Sequence, residues 1–304
     1  MPRFAPLPRL ALSLVALIAP LSLRSQVRKD APATDWSMVE AVLGRKGAQT
    51  PGGVNRFSFP RSDLTVTVRG VKLRPAFALG SWSAFRDEGN GRATVMGDLV
   101  LTEDEVAPVM RELQRGGVEQ SALHNHVLGE QPRIMYMHMS AHGEARKIAA
   151  TIRAALALTG TPLDPPAPPA MAAAIDLDTI GVATALGRTG KVNGGVYQVS
   201  VPRAEKILAH GMEITPAMGM ATVINFQPTG DGKAAINGDF AMLASEVNPV
   251  IRALIENGID VVALHSHLLD ESPRLLFMHF WANDDALKLA RGLRIALDRT
   301  NAAK

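Results

Sequence analysis

The sequence predicts an α+β protein of two homologous tandem domains, each a mainly antiparallel sheet with helices packed on it. The first observation behind this prediction is an internal duplication, whose two copies are offset by about 141 residues. The second is that hairpin turns occur among helical segments in both copies. Hairpins mixed with helices are typical of α+β proteins, whereas a doubly wound parallel sheet requires a regular alternation of strand and helix.

The duplication is clearest in an eighteen-residue stretch that occurs twice. The first copy runs from Ser121 to His138 and the second from Val262 to His279. Ten of the eighteen positions are identical, and six of the eight histidines in the chain lie in these two copies. Histidine, glutamate and arginine recur at the same spacing, so the copies share more than an apolar pattern.

Weaker matches extend the duplication along most of the chain. Phe59-Pro60-Arg61 corresponds to Val201-Pro202-Arg203, and Gly97-Asp98 corresponds to Gly238-Asp239. We therefore predict a first repeat domain at 34–160 and a second at 174–301. Five prolines among residues 161–169 predict an extended linker at 161–173, because proline is poorly compatible with helix and sheet interiors.

Each copy predicts the same order of elements. A helix over Trp36–Leu43 ends at Gly44, since glycine readily takes the left-handed conformation found at helix ends. The turn at Asn90-Gly91 is a strong hairpin signal, and Asp231-Gly232 repeats it. The remaining predicted elements are strands at 57–59 and 64–68, hairpin arms at 78–85 and 93–101, and helices at 103–115, 143–158, 245–257 and 284–300.

The first 25 residues predict a secretory signal peptide. Arg3 and Arg9 precede an apolar run from Leu10 to Leu23, which is too short to cross a bilayer comfortably. The cleavage position is open, because Ala31-Pro32-Ala33 also fits the small-residue rule and would place it as late as residue 33. An uncleaved anchor helix is the alternative.

Composition excludes several classes of protein. The chain has no cysteine, which excludes disulfides, thiolate ligands and a lipid-modified cysteine. Its formal net charge is +3, but the three arginines of residues 1–25 account for that excess, so we expect no nucleic-acid partner. No later apolar run is long enough for a transmembrane segment. We therefore expect the mature protein to be secreted or periplasmic.

Strand alternation places the histidines of each copy together. His124 and His126 are two residues apart, so a strand directs both to one face. If the following turn centres on Gln131, His124 pairs with His138, and if it centres on Pro132, His126 pairs with His138. Both registers put the three imidazoles on one face. The second copy behaves alike, and the candidate metal ligands are therefore His124, His126, His138, His265, His267 and His279.

Three imidazoles and a carboxylate suit a divalent transition metal. Zinc is the simplest choice, and manganese, iron or copper are compatible with the same ligands. Glu130 and Glu271 are candidates for a fourth ligand or a catalytic base that activates a metal-bound water. Arg133 and Arg274 are candidates for clamping an anionic substrate. Asp98 and Asp239 could accept a hydrogen bond from a ligating histidine.

The chain resembles the LppY/LpqO family (DUF1259) of uncharacterised bacterial envelope proteins. The resemblance covers nearly all of the mature chain and includes the signature Ala-Leu-His-x-His, Glu-x-Pro-Arg and Met-His at 122–138 and 263–279. It implies an internal duplication but no settled activity. The family name derives from lipoproteins, and this chain differs because it has no cysteine to carry a lipid.

Two functions of different classes follow from these residues. The first is a secreted or periplasmic metal-dependent enzyme, most simply a hydrolase acting on a small-molecule or anionic substrate. The second is a non-catalytic envelope protein that binds a metal or an anionic ligand. A structural role for the histidines is a third possibility. The sequence leaves open whether the two copies form two separate sites or one composite site.

Overall fold

A computed structural model describes residues 33–164 and 174–304. The predicted signal peptide lies outside these residues, and so do residues 165–173, which form most of the predicted linker. The described residues all fall within one compact unit. Among their helices, none has the length and apolar character needed to span a membrane.

The first half contains four helices and nine strands in the described residues. In chain order they are α1 (Trp36–Leu43), β1 (Ala48–Thr50), β2 (Val54–Pro60), β3 (Thr67–Val68), β4 (Val71–Lys72), α2 (Pro75–Ala78), β5 (Gly80–Gly89), β6 (Arg92–Thr102), α3 (Glu103–Arg115), β7 (Glu119–His124), β8 (Glu130–Gln131), β9 (Ile134–Glu144) and α4 (Ala145–Leu156).

The second half repeats the order of the main elements. They are α5 (Thr179–Leu186), β10 (Lys191–Asn193), β11 (Val196–Pro202), β12 (Ile207–Ala209), β13 (Met212–Ile214), a 3₁₀ helix (Pro216–Met218), β14 (Ala221–Gly230), β15 (Lys233–Met242), α6 (Val247–Glu256), β16 (Asp260–His265), β17 (Leu276–Asp285) and α7 (Ala286–Leu297).

The two main sheets have the same topology. The strand order is β1-β2-β5-β6-β9-β7 in the first half and β10-β11-β14-β15-β17-β16 in the second. Neighbouring strands are antiparallel throughout these two sheets. The predicted α+β fold with two homologous halves is therefore confirmed, and β7 and β16 lie at equivalent edges.

Helices cover one face of each sheet. In the first half α1, α3 and α4 pack on a core that includes Phe57, Phe85 and Met137. In the second half α5, α6 and α7 pack on the equivalent core, which includes Phe226 and Phe280. Because side chains alternate between the two faces of a strand, the neighbouring residues point to the opposite face of each sheet.

The opposite faces of the two sheets share two further cores. One joins Ala84 and Met96 of the first half to Met218 and Phe277 of the second. The other joins residues such as Tyr136 to Trp281. The molecule thus has an interior between its two repeats, lined by residues of both.

Each half also inserts a short segment against the other. Gln198 Nε2 of the second half donates a hydrogen bond to Ala76 O in α2, at 2.9 Å. Arg56 NH1 of the first half donates to Ala217 O in the 3₁₀ helix, at 3.0 Å. The two acceptors occupy equivalent positions in the repeats. Each half therefore makes the same contact with the other, as expected for an approximate twofold relation between them.

Most local predictions hold, with differences at element ends. The helices Trp36–Leu43 and Glu103–Arg115 have the predicted bounds. The closing helices begin later than predicted, because β9 and β17 continue to Glu144 and Asp285 through their pairing with β6 and β15. Asp285 then caps α7 by accepting a hydrogen bond from Lys288 N at 2.7 Å.

Two equivalent arginines are buried with their counter-ions. Arg61 NH1 donates to Val100 O at 2.8 Å and to Glu105 at 2.6 Å. Arg203 NH1 makes the same contacts with Ala241 O and Glu246, each at 2.7 Å. Each guanidinium side chain is 1% exposed, so removing it leaves carboxylates without their partner.

We expect Arg61→Ala and Arg203→Ala each to lower the free energy of unfolding by about 3–5 kcal/mol. Arg69→Ala is the control, because Arg69 pairs with Asp260 at the surface and is 63% exposed. The control should change stability by less than about 1 kcal/mol. Urea unfolding monitored by circular dichroism measures all three variants, and equal midpoints for buried and exposed variants would contradict the expectation.

Candidate metal centre

The histidine hairpins have a different register from the one predicted. Ala122 pairs with His138 and His124 pairs with Tyr136, so neither predicted pairing occurs. The second half repeats this register, with Ala263 opposite His279. The cause is the connection, because Glu130-Gln131 leaves the hairpin to pair with β3 instead of forming a tight turn. The shift is an even number of residues, so His124 still shares a face with His138, and His265 with His279. His126 and His267 lie beyond the ends of β7 and β16, and not within a strand as predicted.

The histidines from both repeats meet between the sheets. His124 Nε2 lies 3.2 Å from His279 Nε2, and His265 Nε2 lies 3.3 Å from His138 Nε2. The rings of His124 and His265 stack at a centroid distance of 3.8 Å. The two hairpins therefore form one composite cluster of six imidazoles, and the alternative of two separate sites is not the arrangement found.

His126 and His267 each lie close to a histidine of the opposite repeat. The ring of His126 lies 3.9 Å from that of His279, and the ring of His267 lies 3.9 Å from that of His138. Three groups of side chains have ligand atoms within 4.8 Å of one another. They are His124 with His265 and His279, His138 with His265 and His267, and Asp98 with His124 and His126.

Backbone carbonyls orient three of the imidazoles. His138 Nδ1 donates to Gly97 O at 3.3 Å, and His279 Nδ1 donates to Gly238 O at 2.7 Å. His267 Nδ1 donates to Gly219 O at 2.8 Å. A proton held on Nδ1 leaves the Nε2 lone pair of the same ring free for a ligand.

Two aspartates border the cluster at equivalent positions. Asp98 Oδ2 lies 3.3 Å from His126 Nε2, and Asp239 Oδ2 lies 2.9 Å from His267 Nε2. Each aspartate follows the glycine whose carbonyl orients a histidine. One Gly-Asp pair therefore orients one histidine through its carbonyl and places a carboxylate beside another. The aspartates thus lie beside the histidines, but the hydrogen bond that the sequence suggested between them is not formed.

Burial keeps the imidazoles neutral. Desolvation lowers the pKa of all six histidines, and neighbouring imidazoles lower it further for each of them except His267. The pKa of His138 falls to about 3 and that of His267 to about 4. Burial also raises the pKa of Asp98, and it raises that of Asp239 to about 7. Neutral imidazole is the form that binds a metal ion.

Several polar atoms of the cluster lack a hydrogen-bond partner among the described residues. They are Oδ1 of Asp98 and Asp239, Nδ1 of His124 and His265, and Nε2 of His126 and His267. The last two lie near an aspartate oxygen but not at a hydrogen-bonding angle. Buried polar atoms are normally paired, so this concentration makes the cluster the candidate site.

The predicted glutamates and arginines have other partners. Glu130 Oε1 accepts a hydrogen bond from Ile134 N at 3.2 Å, and Glu271 Oε1 accepts one from Leu275 N at 3.0 Å. These contacts close the loops between the hairpin strands. None of the three close groups of possible ligands includes either glutamate. Their role as ligand or base stays a prediction.

The two arginines lie at the surface. Arg133 is 59% exposed and its Nε lies 3.7 Å from Glu103. Arg274 is 46% exposed and donates to Leu268 O at 3.0 Å and to Leu269 O. Neither contact directs a guanidinium to the histidine cluster, and an anion-clamping role also stays a prediction.

The sequence interpretation missed the aromatic residues that support the cluster. Tyr136 stacks on His126 with ring centroids 3.5 Å apart, and Phe277 stacks on His267 at 3.4 Å. These aromatics occupy equivalent positions, two residues before His138 and His279, which are the closing histidines of the two eighteen-residue copies. That recurrence was a usable signal, because the strand alternation that aligns the histidines also brings this position to their face.

The family comparison agrees with the duplicated architecture. The sequence model described as Domain of Unknown Function (DUF1259) matches residues 37–158 and again residues 181–299. The chain is therefore a duplicated protein with one family unit in each half, and it belongs to the DUF1259 family. No curated protein matches the chain.

One solved structure aligns weakly with this chain. The crystal structure of EtuB from Clostridium kluyveri aligns with 83% of this chain and 91% of its own, at 8% sequence identity and a TM-score of 0.18. A similarity at that level supports no inference about fold or function.

The two glycines that orient the closing histidines leave no space for a methyl group. A Cβ at Gly238 would lie 1.9 Å from Val223 O, and one at Gly97 would lie 2.6 Å from Trp82 O. Gly238→Ala and Gly97→Ala should therefore each destabilise the metal-free protein by at least about 1–3 kcal/mol, as overpacking does.

Gly80→Ala is the matched control, because its Cβ would meet only Pro75 O at 3.9 Å. Thermal unfolding of the chelator-treated protein compares the three variants. Stabilities of Gly238→Ala and Gly97→Ala equal to that of Gly80→Ala would show that the strands yield freely at these positions.

Proposed function

We propose that this protein binds a divalent transition-metal ion, most simply zinc, at the composite histidine cluster between its repeats. The observation that carries the proposal is the convergence of six neutral imidazoles from both repeats, with ring nitrogens 3.2 and 3.3 Å apart across the repeat interface. Manganese, iron and copper accept the same ligands. The compartment, secreted or periplasmic, belongs to the same proposal and rests on residues 1–25.

The donor set fits a metal ion better than an anion. Imidazoles kept neutral by burial offer lone pairs and no positive charge, so they attract cations. Two carboxylates lie beside the cluster, and the unpaired Oδ1 atoms of Asp98 and Asp239 add acceptors without matching donors. An anionic ligand would instead require donors such as Arg133 or Arg274, whose described contacts lie elsewhere.

Metal binding without catalysis is the function that these contacts support best. The catalytic hypothesis relied on a glutamate base and an arginine clamp, and the glutamates hold loop backbone while the arginines are exposed. A binding protein needs only ligands and their supports, and the cluster supplies both. This favours the envelope-binding alternative over the hydrolase.

The direct test is metal titration of the full-length protein after removal of bound metal with a chelator. We expect saturable zinc binding, and His124→Ala and His265→Ala should each weaken it by at least about tenfold. His142→Ala and His210→Ala are the matched controls, because these histidines are not among the close ligand groups. Manganese, iron and copper are titrated in parallel.

Retention of none of the four metals by the folded wild-type protein after desalting would overturn the proposal. Equal loss of zinc in the control variants would also contradict it, because binding would then not depend on the cluster.

A metal-dependent hydrolase is the second candidate, and one observation favours it. Asp98 Oδ1 is buried beside the imidazoles without a hydrogen-bond partner among the described residues, so it could accept a proton from a water molecule there. For a hydrolase, Asp98→Asn compared with the wild type at equal bound zinc should lose at least about 100-fold in turnover of ester or phosphoester substrates. Glu130→Gln tests the predicted glutamate base in the same assay.

Absence of turnover by the zinc-loaded wild type across the ester and phosphoester panel would remove this candidate and leave metal binding unaffected. Unchanged turnover in Asp98→Asn, with a large loss in Glu130→Gln, would transfer the role of base to the glutamate.

A further inference from the structure

We propose that the cluster holds two metal ions, each bound by the His-x-His pair of one repeat and the closing histidine of the other. This inference rests on the proposed metal-binding function and deepens it. The first triad is His124, His126 and His279. The second triad is His265, His267 and His138.

Close contacts within each triad cross the repeat interface. In the second triad, one nitrogen from each of the three side chains lies within 4.8 Å of the others. In the first, His279 lies 3.2 Å from His124, measured between Nε2 atoms, and its ring centroid lies 3.9 Å from that of His126. The equivalent values in the second triad are 3.3 and 3.9 Å. The approximate twofold symmetry therefore relates the two triads, although only the second is among the three groups whose ligand atoms all lie within 4.8 Å of one another.

The nitrogen separations suit ligands of one ion. Zinc–nitrogen bonds are about 2.0–2.1 Å long, so two nitrogens on one tetrahedral ion lie about 3.3 Å apart. The cluster contains two such nitrogen pairs, and they share no atom. An N–H···N hydrogen bond between imidazoles has a similar length, which is why metal stoichiometry decides between the two explanations.

Each triad has its own oriented ligands and its own carboxylate. The closing histidine of each triad is oriented through Nδ1 by a glycine carbonyl. Asp98 lies beside the His126 of the first triad and Asp239 beside the His267 of the second. A single central ion would use only part of this duplicated set. It could use, for example, the close group of His124 with His265 and His279.

The triads differ in their supporting contacts. His267 Nδ1 donates to Gly219 O at 2.8 Å, and His126 has no equivalent bond among the described residues. The aromatic ring stacked on His126 is Tyr136, whereas the ring stacked on His267 is Phe277. The Tyr136 hydroxyl is buried and has no hydrogen-bond partner among the described residues. The two ion positions are thus similar in ligands and unequal in surroundings, which lets a titration separate two binding steps.

Two double variants that share one substitution distinguish two arrangements of the metal ligands. In the proposed arrangement each triad combines histidines of both repeats, and in the alternative each triad comes from one hairpin. His138→Ala with His267→Ala removes two ligands of the second triad and leaves the first intact. His126→Ala with His138→Ala removes one ligand from each triad, although both residues belong to the same hairpin. If each hairpin bound its own ion, the consequences of the two double variants would be reversed.

The experiment reconstitutes full-length protein with Zn²⁺ and measures bound zinc by mass spectrometry of the metal after desalting. A parallel titration with Co²⁺ follows the visible absorption of the bound ion. We expect two ions per chain for the wild type and for His142→Ala, one tightly bound ion for H138A/H267A, and none retained by H126A/H138A. Far-UV circular dichroism of each metal-free variant checks folding. Glutamine at the same positions replaces any alanine variant that does not fold.

The outcomes separate this inference from the function on which it rests. One ion per wild-type chain would overturn the two-ion proposal and leave metal binding standing. Two ions with one retained by H126A/H138A and none by H138A/H267A would overturn the exchange between repeats. No ion in the wild type would overturn both the two-ion centre and the proposed function.

Discussion

Packing of the two sheets against each other through their helix-free faces is the constraint on which the histidine cluster depends. The shared cores contain residues of both repeats, such as Met96 with Phe277 and Tyr136 with Trp281. The imidazole ring closest to His138, and the one closest to His279, each belong to the opposite repeat and not to the same hairpin. Apolar burial between the halves therefore sets the distances between the polar groups, because burial is the large and non-directional part of the folding free energy.

The polar interior is costly unless a ligand uses it. Four of the six imidazoles and both carboxylates are buried, and several polar atoms of the cluster lack partners among the described residues. An unpaired buried donor or acceptor costs about 1–3 kcal/mol. A core built only for packing would avoid that cost, whereas a coordination site requires free lone pairs. The buried arginines show the contrast, since Arg61 and Arg203 are surrounded by acceptors.

The two repeats have similar local structure, but the residues that support their imidazoles differ. The registers, the glycine-aspartate pairs and the glycine contacts of His138 and His279 are equivalent in both halves. His267 also donates to Gly219 O, a bond without a counterpart at His126 among the described residues. Tyr136 and Phe277 are the clearest difference next to the imidazoles. A duplicated site can therefore keep its ligands while one half acquires a polar group that the other lacks.

Local patterns determined much of the protein from the sequence alone. The period-two spacing of His124 and His126, the Asn90-Gly91 turn and the acidic start of the helix at Glu103 each depend on residues close along the chain. The even spacing also guaranteed a common face for His124 with His138 and for His265 with His279, whatever the register, whereas His126 and His267 lie beyond the strand ends. Tertiary structure decided the rest. The register depended on pairing of Glu130-Gln131 with β3, and the partner of each His-x-His pair depended on how two sheets pack. Contacts between residues more than a hundred positions apart leave no periodic signal in a single sequence, so only the folded chain assigns His279 to His124 and His138 to His265.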